Sequence, residues 1–390
     1  MLRAIRDGRQ APRIATEIVL RAVVVMALAR MGSLNRLELS RRNPYWKTWL
    51  GVKVPSADVM GDVGAVLDMA GLRQALGQVY HRRKRNKSVR PLEGGLVALV
   101  LDGHECAQSD LLQWAGALVR EIKTLNESYL QHYQRIVVAS LVFQEGCLLL
   151  DAELQRPGED EVAAATRLLE RVVQAFPRAF QVVVGDGLYA RSDFFQRVRA
   201  HHKDVIAVLK DERRDLLTDA RSLFSEVKPM TFVKGKTRYR CWDVEGLTSW
   251  ASLARPVRVV RSVETTRVKP RRAKKEEEQT SEWIWVTTLS LERASTRTVV
   301  RLGHGRWSIE NEGGFNELVN TWKADHVYKH DANAILCFWL LTLLAYNLFH
   351  SFYRLNLKPI LRLRLTLSYL WDLITTDFYQ HEDLQHSHPP

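Results

Sequence analysis

Hydrophobic residues recur at helical intervals over about the first 90 residues. Val, Leu and Ala show this spacing across residues 58–80, and residues 14–31 form an apolar stretch that carries arginine. The helical part ends in a strongly basic run, residues 81–90. Because such a run cannot pack against itself, it is interpreted either as a solvated linker or as a segment that contacts phosphates.

The pattern changes at about residue 91, where short runs rich in Val and Leu begin to alternate with helical spacing. The runs predict strands at residues 95–101, 135–143, 147–150, 180–184 and 205–209. Helices are predicted at residues 109–123, 159–176 and 193–200. The chain order of strand, helix, two strands, helix, strand, helix and strand indicates an α/β fold, a mixed sheet flanked by helices.

Residues 216–299 show a third pattern. Strands are predicted at residues 231–244, 257–263 and 283–289, and the segment 267–278 is too highly charged to contribute to a core. We interpret this part as a β-rich insertion. Helices are predicted to return from about residue 296 to residue 348, and the last residues are expected to form a loose tail.

The overall charge adds information about partners. The chain has 57 Lys and Arg residues against 44 Asp and Glu residues, which gives a net charge of +13 and a pI near 9.7. Because the positive charge is also clustered, a polyanion is the expected partner, and nucleic acid is the usual one. The alternative is a basic protein that has no such partner.

The cysteines and the apolar stretches indicate in which cell compartment the protein is expected. The four cysteines lie far apart in the sequence and predict neither a disulfide framework nor a zinc site, which favours a reducing cytoplasm. The apolar stretch at residues 334–344 is short for a membrane span and is interpreted as a buried helix. No membrane association is expected.

Two aspartates follow predicted buried strands in the same way. Asp102 comes after Leu-Val-Ala-Leu-Val-Leu and Asp186 after Gln-Val-Val-Val-Gly, and each is followed by glycine. Carboxylates at strand ends of α/β folds can converge on one crevice and offer the oxygen ligands that Mg²⁺ prefers. The alternative for each motif is a simple Asp-Gly turn after a strand.

A third acid occurs in the segment Arg306-Trp-Ser-Ile-Glu310-Asn-Glu-Gly-Gly-Phe315. Arg306 and Glu310 are four residues apart, so they share one face of a helix and could form an exposed ion pair. Apolar neighbours such as Trp307 and Phe315 would anchor that helix and hold Glu310 rigidly near the two aspartates.

The sequence from about residue 95 to residue 350 resembles the bacterial insertion-sequence transposases of the DDE class. The matching motifs are Leu101-Asp102-Gly103-His104-Glu105, Leu150-Asp151-Ala-Glu153 followed by Pro157-Gly158-Glu159-Asp160-Glu161, Gly185-Asp186-Gly187-Leu188-Tyr189-Ala190, and Arg306-Trp307 through Ile309-Glu310-Asn311 to Phe315 and Asp325-His326. Asp186 follows Asp102 by 84 residues, and Glu310 follows Asp186 by 124. A β-rich insertion before the glutamate accounts for the longer second interval in such enzymes.

The resemblance implies an RNase H-like fold in which Asp102, Asp186 and Glu310 are both the catalytic residues and the metal ligands. The implied cofactor is Mg²⁺, for which Mn²⁺ can substitute. Two ions about 4 Å apart would activate the attacking oxygen and stabilise the leaving 3′ oxygen. Water would free a 3′-hydroxyl at the element's end, and that hydroxyl would attack target DNA.

The segment departs from the Tyr-Arg-Glu-Lys signature of several relatives. Gly303 stands at the tyrosine position and Glu317 at the lysine position. The departure affects the family's contacts with the DNA end rather than the metal ligands. Lys323 is a candidate replacement for the missing cation, and Glu312 and Glu317 are alternatives to Glu310 as the third acid.

The predicted DNA-binding residues are basic side chains near these motifs and in the run after the N-terminal helices; they are Arg306, Lys323, Lys210, Arg82, Arg83, Lys84 and Arg85. Exposed loops without a ligand are the alternative for Lys210 and for the run. His104 and Glu105 are weaker site candidates, and structural roles are favoured for Asp151 and Glu153. The acidic residues 159–161 best fit charge at a helix start.

The predicted organisation has five parts. They are a helical N-terminal DNA-binding region at 1–90, the first part of the RNase H-like core at 91–215, the β-rich insertion at 216–299, the glutamate-bearing helices of the core at 300–350, and a C-terminal helix and tail at 351–390.

The predicted function is that of a DNA transposase that binds terminal inverted repeats and catalyses cleavage and strand transfer. The expected partners are double-stranded transposon ends and target DNA, with a homodimer in the active complex, in the bacterial cytoplasm at the nucleoid. The alternatives are an RNase H-fold nuclease without strand transfer and a domesticated, non-catalytic DNA-binding protein.

Overall fold

A computed structural model describes residues 1–92, 94–124, 127–210, 214–268, 277–305 and 314–380 of the chain. The N-terminal part is helical, as predicted. Side chains at the helix starts satisfy free backbone N–H groups: Ser33, Asn43, Ser56 and Asp68 each accept a hydrogen bond from the first turn that follows. The helices are α1 (Thr16–Leu28), α2 (Leu34–Leu39), α3 (Pro44–Leu50), α4 (Ala57–Val66) and α5 (Met69–Arg85).

The described strands form one ten-stranded mixed sheet. They are β1 (Ala98–Ser109), β2 (Leu118–Lys123), β3 (Ser128–Phe143), β4 (Gly146–Leu154), β5 (Val182–Gly185), β6 (Asp204–Val208), β7 (Met230–Lys234), β8 (Thr237–Leu247), β9 (Val257–Val268) and β10 (Glu277–Thr287). The order is β2-β3-β1-β5-β6-β10-β9-β8-β7, and β4 pairs with β3 beside β2. The expected mixed α/β sheet with flanking helices is therefore confirmed.

Helices follow the strands on both faces of the sheet. They are α6 (Glu161–Ala175), α7 (Ser192–Ala200), α8 (Arg214–Glu226), α9 (Thr296–Gly303), α10 (Phe315–Asn320), α11 (Ala332–Ser351), α12 (Pro359–Arg364) and α13 (Leu367–Gln380). The larger hydrophobic cluster joins α6, α7, α8, α11 and the N-terminal helices to one face of the sheet. A smaller cluster lies under α9 on the opposite face.

The helix predicted at residues 109–123 is wrong. The structure continues β1 to Ser109 and places β2 at Leu118–Lys123, where it pairs with the outer edge of β3. The leucines of this segment do not enter a core, because Leu111 is 92% exposed and Leu112 is 50% exposed. Pairing with the 16-residue β3 therefore overrides the local preference of this segment.

The β-rich insertion differs in two details from its prediction. The single strand predicted at 231–244 is a hairpin, β7 and β8, which turns at Gly235, where φ is +60° and glycine is favoured. The insertion also continues the central sheet, because β10 pairs with β6. Part of the charged segment, which was predicted not to contribute to a core, lies in β9 and β10, and residues 269–276 lie outside the described residues.

The predicted buried helix is α11. Within the described residues, one helical stretch, Ala332–Asn356, is long and apolar enough to cross a membrane, and 83% of its most apolar window is buried inside the protein. Asn347 on this helix accepts a hydrogen bond from Leu149 N at 3.0 Å and donates one to Leu149 O at 2.7 Å. The helix is thus packed against β4 as the central core helix of the larger cluster.

Candidate active site

The two predicted aspartates lie side by side at the ends of adjacent strands. β1 and β5 are parallel and pair in register, with Val100 opposite Val184. Asp102 and Asp186 each lie two residues beyond that pair, at matching positions. Because neighbouring strands are spaced about 4.8 Å apart, the register brings the two carboxylates to one edge of the sheet. Both residues are half-buried.

Strand alternation also gives the two aspartates the same face. Asp102 continues the row of Ala98 and Val100, and Asp186 continues the row of Val182 and Val184. All four hydrophobic residues belong to the smaller cluster, which is covered by Val299, Val300 and Leu302 of α9. Asp102 and Asp186 therefore follow the rows that face α9, and at these strand ends both also lie within electrostatic range of Tyr189 in the larger cluster.

The backbone around Asp186 is fixed by a tight turn. Asp186 Oδ1 accepts a hydrogen bond from Leu188 N at 2.8 Å. A Cβ atom on Gly185 would lie 2.6 Å from Tyr189 Cγ, so only glycine lets the strand end so close to that ring. A Cβ atom on Gly187 would lie 2.7 Å from Lys210 Cε, which shows that the Lys210 side chain runs beside the turn.

A buried glutamate lies behind the two aspartates. Glu161, the first residue of α6, is 9% exposed and accepts a hydrogen bond from Tyr189 Oη at 3.0 Å. Burial raises the pKa of Glu161, and the charge of Asp186 raises it further. Burial also raises the pKa of Tyr189, and the charges of Glu161, Asp102 and Asp186 add to that rise. Tyr189 therefore lies within electrostatic range of all three acids.

The chain around the predicted third acid is described on both sides of residues 306–313. Arg306, Glu310 and Glu312 lie outside the described residues. Before the gap, α9 covers the aspartates' face. After it, the Phe315 ring stacks on the His104 ring with centroids 4.8 Å apart, two residues beyond Asp102. Burial lowers the pKa of His104.

The two aspartates suit a hard divalent cation such as Mg²⁺, which prefers one or two carboxylates together with water and phosphate oxygens. Among the described residues, no three His, Cys, Asp or Glu side chains are close enough to form a complete set of metal ligands. A third ligand from residues 306–313 would complete the predicted set.

The other acids named from the sequence have arginine or histidine partners. Glu105 is held by two hydrogen bonds of 2.7 Å from Arg120. Glu317 accepts hydrogen bonds from His350 Nε2 at 2.9 Å and from Trp322 Nε1 at 3.3 Å.

The pair on β4 has the structural role that the sequence favoured. Asp151 accepts hydrogen bonds from Arg73 at 3.0 Å and Arg171 at 2.6 Å, and Arg171 also donates to Glu153 at 2.7 Å. Because both acids are more than 90% buried, these arginines offset the cost of burying their charges.

The basic residues predicted to bind DNA divide into exposed and buried groups. Lys210 is exposed beside Asp186, and Lys323 borders a surface cavity that Arg30 and Arg36 also line. On α5, Arg82, Lys84 and Arg85 are exposed.

The expectation for Arg83 needs correction. Arg83 is 2% exposed, and its guanidinium donates to Ser88 Oγ at 3.0 Å and lies 5.3 Å from the Phe143 ring centroid. The helical period turns this one residue of the basic run into the protein, where a DNA phosphate cannot reach it.

A basic groove with a cavity volume of about 700 Å³ lies between the insertion strands and α9. Lys234, Arg297 and Arg301 line it, and it extends to Gly305 at the edge of the described residues. Glu264 and His304 form an acid–histidine pair in this groove, with Glu264 Oε1 and His304 Nε2 2.5 Å apart.

The sequence did not indicate that Glu161 and Tyr189 lie at the site. Glu161 occurs in a motif that carries the family resemblance but was interpreted as charge at a helix start. The residue that caps α6 is Asp160, which accepts from Ala163 N at 2.9 Å. The available signal was a tyrosine three residues after Asp186, but its contact with α6 is long-range and no local pattern indicates it.

A mixed sheet with paired carboxylates at the ends of adjacent parallel strands suits enzymes that transfer phosphoryl groups with the help of metal ions. The family described as "Transposase DDE domain" matches residues 131–348, which is more than half of the chain. The chain therefore belongs to the DDE transposases, a family of phosphoryl-transfer enzymes that carry out DNA transposition and typically use divalent metals. No curated protein matches the chain.

Proposed function

We propose that this chain is the transposase of an insertion sequence, and that it binds the element's terminal repeats and catalyses DNA cleavage and strand transfer with Asp102, Asp186 and Glu310. The observation that carries the proposal is the register of β1 and β5, which brings Asp102 and Asp186 to matching positions on one face. If Asp102 and Asp186 were only parts of turns, nothing would require both to lie at the same edge of the sheet and on the same face.

The assignment of Glu310 as the third ligand is supported by the residues that flank it. The helix before the gap packs on the aspartates' face, and Phe315 after the gap touches the histidine two residues beyond Asp102. A chain of five residues spans at most about 18 Å, so the position of Phe315 is compatible with the proposed role of Glu310. The alternative Glu317 is already held by His350 and Trp322.

The chain's own residues would perform three tasks in this reaction. Asp102, Asp186 and Glu310 would hold Mg²⁺ or Mn²⁺, which when bound supplies Lewis-acid activation of the phosphodiester. The turn at Gly185 and Tyr189 would keep the Asp186 carboxylate fixed. Lys210 beside Asp186 would contact a phosphate of the DNA backbone, since its exposed ammonium is near the predicted metal ligands.

The remaining basic groups would bind DNA further from the reaction. The groove between the insertion and α9 is lined by three cations and lies on the same side of the sheet as the aspartates. Arg306 and Lys323, the exposed residues Arg82, Lys84 and Arg85, and this groove are the proposed contacts with double-stranded ends. Pairing two ends requires two subunits, so we include a homodimer and a place at the bacterial nucleoid in the proposal.

The test is an assay of cleavage and joining with purified protein, Mg²⁺ or Mn²⁺, and labelled DNA from the regions that flank the coding sequence. We expect the native chain to nick the DNA at the element's ends and to join them to a target plasmid. We expect both reactions to be lost, and DNA binding to be retained, in the variants Asp102→Asn, Asp186→Asn and Glu310→Gln.

Asp219→Asn is the matched control, because it removes the same charge from an exposed position on α8 and should leave both reactions intact. Cleavage without joining would favour the nuclease alternative, and binding without either reaction would favour a non-catalytic protein. Full activity in all three site variants would contradict the site assignment.

A further inference from the structure

We propose that Glu161 is a positioning residue of the metal site, whose buried carboxylate helps Asp102 and Asp186 to attract and hold a divalent cation. This inference rests on the proposed function, because it adds a fourth acid to the same site. It goes beyond the three acids that the DDE pattern names.

The first observation is the contact between Glu161 and the strand that carries Asp102. A Cβ atom on Gly103 would lie 2.2 Å from Glu161 Cδ, so the carboxyl group rests directly on the backbone of the residue after Asp102. Any other residue at position 103 would displace it. The glycine in the Asp-Gly motif therefore makes room for the glutamate.

The second observation is the contact with the strand that carries Asp186. Tyr189 Oη donates to Glu161 Oε1 at 3.0 Å, and the Tyr189 ring lies against Gly185. The ring is fully buried, so its hydroxyl has a fixed position. Glu161 is thus connected to the ends of both β1 and β5, and it can influence the two aspartates together.

The third observation is that little positive charge surrounds Glu161 in the part of the chain that the structure describes. Among the described residues, the groups that act on Glu161 are Tyr189, Asp186, Asp160 and the cation Arg135, whose Nη1 is 3.7 Å from Glu161 Oε2. Asp102 acts on Tyr189, which donates to Glu161. Two other buried acids, Asp151 and Glu153 on β4, have three arginines at shorter distances. Because an under-compensated buried carboxylate is costly, a bound divalent cation next to it would supply the missing charge.

The experiment measures the binding of Mn²⁺ alone to the full chain by the EPR signal of free Mn²⁺. Glu161→Gln keeps the size of the side chain and an oxygen for the Tyr189 hydroxyl but removes the charge. We expect its Mn²⁺ dissociation constant to rise about tenfold or more, as is typical when a group behind the metal ligands is changed. Glu161→Asp, which keeps the charge, is expected to recover part of that loss.

Two further variants separate this role from a purely structural one. Tyr189→Phe removes one hydroxyl from a buried ring and is expected to weaken Mn²⁺ binding in the same direction, so it serves as the test if Glu161→Gln fails to fold. Glu170→Gln is the matched control, because it removes the same charge from an exposed position on the same helix, where Glu170 pairs with Arg197 at 3.4 Å. It should bind Mn²⁺ like the native chain.

The outcomes distinguish the inference from the function on which it rests. In one outcome, Asp102→Asn and Asp186→Asn abolish Mn²⁺ binding, but Glu161→Gln and Tyr189→Phe bind as the native chain does. The proposed function then stands, and the proposed role of Glu161 is refuted; Glu161 would then be only a charge at the start of α6. If the native chain binds no Mn²⁺ through Asp102 and Asp186, both proposals fail.

Discussion

At the scale of single residues, the geometry of the site depends on two glycines that leave space for neighbouring side chains. Gly103 and Gly185 both have close neighbours, Glu161 and Tyr189, at the places where a Cβ atom would be. Because strand β1 must pass the glutamate and strand β5 must pass the tyrosine, both glycines fix the positions of the aspartates next to them. The requirement is one of space, since neither residue has a positive φ.

We predict that Gly103→Ala lowers DNA cleavage at least tenfold while the protein remains folded. The added methyl group would overlap the Glu161 carboxyl and push α6 and β1 apart near Asp102. Cleavage rates and thermal melting of the variant check this. Gly8→Ala is the control, because its Cβ atom would meet Val66 Cβ at an ordinary 3.6 Å. Native cleavage by Gly103→Ala would show that the close contact is unimportant.

At the scale of elements, buried polar networks attach the less regular segments to the sheet. Arg258 on β9 is 1% exposed and donates to Asp243 on β8 at 2.8 Å and to the carbonyl of Ala294 at 2.7 Å. Thr296 at the start of α9 donates to the same aspartate at 2.6 Å. The network therefore fixes the start of the helix that leads to residues 306–313.

We predict that Arg258→Met destabilises the fold by about 3 kcal/mol, because it leaves the half-buried Asp243 carboxylate without its charged partner. Chemical denaturation monitored by fluorescence measures the change. Arg267→Met is the matched control: its pair with Glu278 has side chains 63% and 55% exposed, so little change in stability is expected. Equal effects of the two substitutions would mean that the buried network contributes no more than the exposed pair.

A second network attaches the N-terminal segment to α1. Asp7 accepts hydrogen bonds from Arg9 at 2.8 Å and from Thr16 Oγ1 at 2.6 Å, and the Arg9 contact is the main reason that the pKa of Asp7 is lowered from 3.8 to about 2. A lowered pKa means that the folded state binds this proton less tightly than the unfolded state. The resulting stability is present above pH 4 and is lost as the pH falls toward 2.

We predict that Asp7→Asn lowers the free energy of unfolding by roughly 2 kcal/mol at pH 7 and that the difference from the native chain shrinks as the pH falls through 4 toward 2. Parallel denaturation curves across this pH range provide the measurement. A difference that stays constant with pH would indicate that the ionised carboxylate is not the source of the stability.

The sequence predicted elements well where a segment determines its own structure. The apolar runs at β5 and β6 and the amphipathic helices α6 and α7 were found within a few residues. It failed at residues 109–123, because β2 is a strand only through its pairing with β3. The contact of Glu161 with Tyr189 was missed for the same reason, since 28 residues separate them in the chain.

At the scale of the whole molecule, the insertion and the catalytic core form one continuous sheet. β10 pairs with β6, so the basic groove beside α9 has a fixed position relative to Asp102 and Asp186. The net charge of +13 predicted a polyanionic partner, but the sequence alone did not show which arginines face outward. Arg83 illustrates the difficulty, because it lies in the basic run and is buried.

We predict that DNA binding weakens steeply with added salt and that Arg82→Met and Arg85→Met each reduce the slope of log K against log salt concentration by about one. Each exposed arginine would release one counterion from a phosphate. Fluorescence anisotropy at several salt concentrations measures the slopes. Arg83→Met should instead lower the melting temperature and leave the slope unchanged. An unchanged slope in all three variants would remove α5 from the DNA interface.

The most direct test of the central claim is metal-directed cleavage of the polypeptide. Fe²⁺ bound in place of Mg²⁺ produces hydroxyl radicals when ascorbate and peroxide are added, and these cut the backbone near the ion. The fragments, mapped by mass spectrometry, should end near Asp102, Asp186 and Glu310, and excess Mg²⁺ or the Asp102→Asn substitution should suppress all three cuts. Cuts near the two aspartates without one near Glu310 would contradict a metal site built from these three acids.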